Sequence, residues 1–567
     1  MFKLIKQSSV LFASGAVMLG NFPSAALAAT FSLQEATVAD INAAFDAEAL
    51  TSEQLTQLYL NRIDAYDQQG PSINSMITIN PNALETAAAL DKERQLTGPR
   101  SPLHGIPVIL KDNFDTFDLP TTAGAVALED SVPTSDAFQV QKLRKAGAII
   151  LGKANLAEFA LSFTTESSVG GTTLNPYDTN RNAGGSSGGT GAAIAAGFGV
   201  IGMGTDTGGS IRVPSSFNSL VGVRPTIGLS SRSGIIPLAL SQDVGGPITR
   251  TIADAAVALD VTAGFDPNDP VTAASIGKVP GSYTDFLNRN GLKGARIGVV
   301  RDLFGPDSDP EAAKVNAVIN TALEDMESLG AEIVDSVTIP NLDQILSYPS
   351  LSSFEFKFNL NDYLAAHPNA PVDTLTDIIQ SGGYLPSNEE TLRFRNSRES
   401  LANNPEYLDI IQNRPVITQQ SILTALEQNN LDALIYPTAT TPPNLLEEPV
   451  EAGSANRLSP FSGFPAITVP AGFTPEDLPV GIEFLGRAFS EPTLIELAYS
   501  YEQGTLNRLP PITTPPLSGE VFDYQPVPEP SSTIALTVFG LGALGLKLKQ
   551  HRTAKLRTIA NRCKSIM

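Results

Sequence analysis

Gly184-Gly185-Ser186-Ser187-Gly188-Gly189 and, a short apolar run later, Gly204-Thr205-Asp206-Thr207-Gly208-Gly209-Ser210-Ile211-Arg212 decide how this chain is read. Eleven of the 27 residues from 184 to 210 are glycine, three are serine (Ser186, Ser187, Ser210), and Asp206 is the single charge. Glycine admits positive φ and close backbone approach, and serine is a weak nucleophile until a base activates it. A flexible linker has no use for Ala192-Ala193-Ile194-Ala195-Ala196 or Val200-Ile201-Gly202-Met203, which belong in a core. The segment reads as the floor of an active site.

The rest of the chain narrows the chemistry. At 567 residues one large domain or two are expected. The formal charge is −22, and the body without its two basic ends is more acidic still. Nucleic-acid binding is not expected of such a surface, because phosphate contacts need a basic face. The single cysteine, Cys563, lies in the basic tail, so the body has no disulfide, thiolate zinc site or cysteine nucleophile. With only His104, His367 and His551 as histidines, and no ligand spacing among them, neither a metal nor another cofactor is expected.

Both ends read as addresses. Lys3 and Lys6, the apolar stretch 10–19 and Ala26-Leu27-Ala28 predict a secretory signal over 1–28 cleaved before Ala29. A Pro-rich linker is expected over 511–527. Residues 528–567 follow as Pro528-Glu529-Pro530, an apolar run over 534–546 and a cluster of Lys and Arg. The run is shorter than the ~20 residues of a spanning helix. The order of parts resembles the PEP-CTERM sorting signal. The resemblance implies transient membrane anchoring, an exosortase-type protease as partner, and a cell-surface or extracellular location; a plain C-terminal anchor is the alternative.

Between the ends, strands and helices alternate, which means a sheet covered by helices. Residues 33–67 read as helical, 105–110 and 148–152 as short strands, and 190–198 as a tightly packed helix. Asn155 with Glu158 three residues on predicts a capping box that starts a helix. The Asp-, Pro- and Asn-rich stretch 264–274 reads as a linker closing the first half. Residues 295–300 open a second α/β stretch, and strands are expected again at 433–436, 466–469 and 481–484, then a helix over 493–503.

Three motifs compete for the chemistry. Residues 197–202 satisfy G-x-G-x-x-G, but helix-like residues precede them and no ribose-binding acid follows at the usual distance. Two frames of G-x-S-x-G, centred on Ser186 and Ser187, lack the strand that a hydrolase elbow requires, and only His367 could serve it. A serine hydrolase without a histidine needs another base. Lys111, delivered to the interior by the apolar strand before it, is the candidate if burial keeps it partly neutral. Taken alone, that lysine could equally pair with Asp112 or Asp115.

Lys111, Ser186 and Ser210, within the two glycine-rich stretches quoted above, resemble the amidase signature family. Gly105-Ile106-Pro107-Val108-Ile109-Leu110-Lys111-Asp112 and Leu220-Val221-Gly222-Val223-Arg224-Pro225-Thr226 match too, although the family more often has lysine at Arg224. So do Gly463-Phe464-Pro465-Ala466-Ile467-Thr468-Val469-Pro470 and Leu478-Pro479-Val480-Gly481-Ile482, so the resemblance runs over about 33–508. It implies an α/β/α sandwich around a large mixed β-sheet, spanning 29–510, and a Ser–Ser–Lys triad: Ser210 as nucleophile, Ser186 as bridge behind an unusual cis peptide, Lys111 as base. It implies an oxyanion hole from the N–H groups of Thr207, Gly208, Gly209 and Ser210. Ser187, Asp206 and Arg212 would support the loop, the last two as an ion pair.

The expected protein is a secreted amidase cleaving a small-molecule or peptide carboxamide through an acyl-enzyme. An esterase using the same triad and a non-catalytic matrix-binding scaffold are the alternatives. The tRNA-dependent amidotransferase branch of the family is disfavoured, because its work is cytosolic and needs partner subunits.

Overall fold

Short, mostly apolar runs form the strands, and most are buried on both faces. A computed structural model describes residues 28–448, 453 and 457–526. The expected signal up to Leu27 and the sorting segment 528–567 lie outside them. Eleven strands build one sheet: β1 (Met76–Ile79), β2 (Pro107–Lys111), β3 (Ile149–Ala154), β4 (Ile201–Asp206), β5 (Val221–Arg224), β6 (Val244–Thr249), β7 (Arg296–Val299), β8 (Glu332–Val334), β9 (Ala433–Pro437), β10 (Ala466–Phe473) and β11 (Pro479–Leu485). Their spatial order is β8-β7-β9-β11-β10-β5-β6-β4-β2-β3-β1. Strand β2 runs parallel to β3 and β4, whereas β4–β6, β5–β6 and β10–β11 are antiparallel, so the sheet is mixed.

Alternation along the strands makes the sheet a middle layer. In β9, Ala433 and Ile435 join a core with the helices Ile252–Thr262, Pro310–Ser328 and Glu491–Thr505. Leu434 and Tyr436 between them face a second core that includes Ile422 and Leu426 of the long helix Pro405–Gln428. The α/β/α sandwich expected from the resemblance is therefore the observed fold. A further helical group, Ser352–Ala366, Leu375–Ser381 and Glu389–Asn396, packs Phe356, Leu360, Ile379 and Leu392 against Leu128, Phe159, Ile236 and Leu238. Among the described residues no helix is long and apolar enough to cross a membrane.

Three local expectations fail, each for a tertiary reason. Asn155 and Glu158 start no α-helix; only a 3-10 turn, Glu158–Ala160, follows. Asn155 spends its amide on Gly171 and Thr173, and Glu158 accepts from Ser168, Leu385 and Asn388. The supposed linker 264–274 is packed: Asp266 accepts from Ser231 at 2.5 Å and Asp269 pairs with Arg232 at 2.6 Å. Residues Thr30–Phe522 form one compact unit, so the Pro-rich stretch from 511 to Phe522 is no free linker. Buried Arg62 fastens it through Glu520 at 2.6 Å and the carbonyl of Thr514 at 2.8 Å.

The glycines let a helix sink into the sheet. Gly188–Ala195 is buried at every residue. Opposite it on β4, a Cβ at Gly202 would lie 2.4 Å from Thr190 Cγ2. A Cβ at Gly189 would lie 2.3 Å from the Asn155 carbonyl oxygen and 2.7 Å from that of Ser75, both backbone atoms that cannot rotate away. Helix propensity alone favours Gly189→Ala by ~1 kcal/mol. Overpacking of this kind costs about 1–3 kcal/mol or more, so the substitution is expected to lower the urea midpoint. An unchanged or raised midpoint would show that the helix has room to lift.

Candidate active site

The strand β2 ends on a lysine because the apolar run before it is drawn into the sheet. Lys111 is fully buried; its Nζ donates to Ser186 Oγ at 2.8 Å and to Thr205 Oγ1 at 2.7 Å. Neither neighbouring acid takes it. Asp112 pairs with Lys153 at 3.0 Å, and Asp115 meets His367 at 2.7 Å and the Tyr363 hydroxyl at 2.6 Å. Burial pushes the Lys111 amine down to about 7, against the opposing pull of the Asp206 and Asp243 carboxylates.

Ser186 follows a cis Gly185–Ser186 peptide and is fully buried, and its carbonyl accepts from the Ala157 N–H at 3.0 Å. A serine enclosed this way is not an exposed hydrolase elbow. Ser187 ties the two glycine-rich stretches together: its hydroxyl bonds the Thr205 backbone, and its N–H donates to the Ser210 carbonyl at 3.2 Å. The helix Gly188–Ala195 that follows both serines comes before β4 rather than after a strand, so residues 197–202 are not arranged as a dinucleotide fingerprint.

The second stretch is the β4 end and the loop after it. Asp206, fully buried, accepts from the N–H of Gly209 at 2.8 Å and of Ile211 at 3.2 Å. It pairs with Arg212 and with Arg224, each at 3.0 Å, and Arg212 also meets Glu483 at 2.6 Å. Burial by itself would raise the Asp206 carboxyl, but the two guanidiniums outweigh it and hold the group well below the usual carboxylate range. Thr207 donates its hydroxyl to Asp243 at 2.5 Å and its carbonyl accepts from Gln242 Nε2 at 2.8 Å.

Ser210 ends the loop and, with Thr207 and Gly208, lines a cleft of about 200 Å³ bounded also by Phe163, Leu238 and Phe461. The structure thus brings Lys111 and Ser186 into direct contact. Ser210 is tied to the residue after Ser186, whose N–H its carbonyl accepts at 3.2 Å, and no hydrogen bond between the Ser186 and Ser210 hydroxyls is among the described contacts. The N–H of Gly209 is given to Asp206, whereas no acceptor among the described residues meets the N–H of Thr207, Gly208 or Ser210. Reading the sequence missed Thr205, Asn113, Gln242, Asp243 and Glu483. Of these, Thr205 stands inside the second glycine-rich stretch, and Asn113, which donates to Thr205 Oγ1 at 3.1 Å, stands in the turn just after Lys111.

Comparison with known proteins agrees over most of the chain. The family model described as Amidase matches residues 54–495. A probable amidase of Arabidopsis thaliana is 36% identical over 512 residues, covering 87% of this chain and 94% of that protein. A glutamyl-tRNA(Gln) amidotransferase subunit from Moorella thermoacetica is 36% identical over 486 residues, covering 83% of this chain and 96% of that protein. The crystal structure of the peptide amidase of Stenotrophomonas maltophilia superposes with a TM-score of 0.79 at 38% identity, covering 85% of this chain and 99% of that one. Fold and relatives together define an enzyme that hydrolyses amide carbon–nitrogen bonds. The chain belongs to the amidase signature family.

Burial of Lys111 has a thermodynamic signature. The unfolded chain holds this proton up to about 10.5, the folded one only up to about 7. The penalty is therefore fully present below about pH 7 and is relieved as pH rises towards 10.5. Lys111→Met is expected to raise Tm relative to the parent below about pH 7, with the gain shrinking above it. A Tm difference independent of pH would contradict the buried, depressed amine.

Proposed function

We propose that this is an exported amidase that cleaves the carboxamide of a small molecule or peptide through a Ser210 acyl-enzyme, with Ser186 and Lys111 as its proton relay. The carrying observation is the 2.8 Å contact between Lys111 Nζ and Ser186 Oγ inside a water-excluded site, with the amine pushed down to about 7. An amine of that basicity is neutral in a large fraction of molecules at neutral pH, which a general base requires.

The reaction balances along this relay. Ser210 Oγ attacks the carbonyl carbon and passes its proton to Ser186 Oγ as the Ser186 proton moves to the free pair of Lys111 Nζ. The relay needs the two serine hydroxyls to meet in the substrate complex, where catalytic hydrogen bonds left loose without substrate tighten. Negative charge collects on the former carbonyl oxygen. The N–H groups of Thr207, Gly208 and Ser210 are available to it, and one such donor is worth about 3–4 kcal/mol. Gly209, included in the expected set, serves instead by fixing the loop through Asp206. The relay then runs backward: Lys111 reprotonates Ser186, which protonates the leaving nitrogen as the C–N bond breaks and leaves the acyl group on Ser210. Water attacks the acyl carbon and gives a proton to the same relay, which returns it to Ser210 Oγ as the ester bond breaks and frees the carboxylic acid.

Likeness to the peptide amidase supports a carboxamide substrate. The three-part segment at each end of the sequence supports export, with 528–567 as a PEP-CTERM-like address for membrane anchoring and an exosortase-type protease.

Two measurements test this reading. Full-length protein treated with a fluorophosphonate is expected to carry the adduct on Ser210; Ser210→Ala abolishes it, and Lys111→Ala slows labelling by about 10²- to 10⁴-fold. An adduct on Ser186 or Ser187, or none, rules the triad out. Mass spectrometry of the N-terminus of cell-surface protein is expected to begin at Ala29, and a surface form that keeps Met1 argues against the signal.

A further inference from the structure

We propose that Gln242 is a positioning residue: it fixes the Thr207–Gly208 peptide unit so that the Gly208 N–H faces the substrate oxygen. The proposal rests on the oxyanion reading above and adds to it the device that orients the donor.

Gln242 is fully buried, and its contacts settle which way its amide points. Two donors converge on one of its atoms, the Leu351 N–H at 2.8 Å and the Arg414 guanidinium at 3.0 Å, so that atom is the oxygen. The NH2 group is thereby aimed at the Thr207 carbonyl, 2.8 Å away. A trans peptide is planar and its C=O and N–H point in opposite directions. Holding the Thr207 carbonyl on the Gln242 side therefore turns the Gly208 N–H to the other side, where no acceptor among the described residues meets it.

Sterics do not hold that peptide in place. A Cβ built on Gly208 would meet nothing within 4 Å, and Gly209 has φ +134°. The Thr207–Gly208 peptide has glycine on one side, which leaves it freer to rotate unless it is bonded. Thr207 is instead gripped at two points by consecutive residues, through its carbonyl by Gln242 and through its hydroxyl by Asp243 at 2.5 Å. Asp243 is fixed by the N–H groups of Leu238 and Ala239 at 2.8 and 2.9 Å. Gln242 is anchored in the same way: its own carbonyl accepts from Arg224 at 2.8 Å. Leu351 precedes the helix Ser352–Ala366 and Arg414 lies in the helix Pro405–Gln428, so one side-chain amide links two helices outside the sheet to the nucleophile loop.

Gln242→Glu separates the two ends of this amide. It keeps an acceptor for Leu351 and Arg414 and replaces the donor facing the Thr207 carbonyl by a second acceptor. Loss of an oxyanion donor lowers kcat by ~10²–10³-fold, and a donor only misaligned loses less. We expect kcat to fall about 10- to 100-fold with KM within about twofold, and affinity for a peptide aldehyde, whose adduct carries the oxyanion, to fall in step with kcat. Tm is read in parallel; should Gln242→Glu not fold, Gln242→Met, which keeps the volume without charge, is expected to show the same split. Ser210→Ala is assayed alongside. Turnover that survives it refutes the catalytic reading and this proposal together. Turnover that needs Ser210 but keeps its kcat in a folded Gln242 variant, or loses rate only through KM, refutes this proposal alone.

Discussion

The buried carboxylate of Asp206 is the constraint from which the site is built. It ends β4, draws Arg224 from the end of β5 and Arg212 from the helix Arg212–Phe217, and through Arg212 reaches Glu483 on β11. Two acids thus face two guanidiniums with none of the four side chains exposed. Desolvating such a cluster is repaid only by close geometry and by satisfying the remaining lone pairs, and the Gly209 and Ile211 N–H groups do the latter for Asp206, while Glu483 Oε2 is left without a hydrogen-bond partner among the described residues. Removing one member would strand a buried charge, at a cost of about 3–5 kcal/mol. A loop of glycines can hold Ser210 still because its rigidity comes from this charge cluster and not from its own backbone.

Lys111 follows the opposite rule. Its neighbours are hydroxyls, and the acids adjacent in sequence are engaged elsewhere, Asp112 by Lys153 and Asp115 by Tyr363 and His367. An ammonium without a contacting carboxylate is disfavoured in the interior, so the fold gives up stability to keep an amine close to neutrality. Two of the buried cations of the site are thus treated differently: Arg212 is paired with Asp206 and Glu483 and stays charged, whereas Lys111 meets only hydroxyls and is partly neutral at neutral pH.

Much of the fold was legible because burial leaves a direct trace in composition. Runs such as Pro107–Lys111 and Ala433–Pro437 are almost wholly apolar because both faces of the sheet are covered. Gly189 and Gly202 betray a helix packed closer than a side chain allows. The local misreadings share one cause. Asn155 and Glu158 have the right spacing for a cap, and 264–274 and the stretch beyond 511 have the right residues for linkers. In each, partners distant in sequence (Leu385 for Glu158, Arg232 for Asp269, Arg62 for Glu520) offered more than the local arrangement did.

By itself, then, the sequence determined the kinds of groups available and the strands and turns that carry them: a serine after two glycines, a second serine among glycines, and a lysine at the end of an apolar strand, with His104 and His367 the only histidines of the body. It did not decide that Lys111 would avoid both neighbouring acids, that Glu483 lies against Arg212 from 271 residues away, or that Gln242 grips Thr207. Those depend on which strands become neighbours in the sheet. Hydrogen bonds and ion pairs form at about 3 Å between groups whose separation along the chain carries no information about that distance. Hydrophobic periodicity is a property of consecutive residues and survives in the sequence; electrostatic pairing is a property of space, and only the folded sheet brings the partners together.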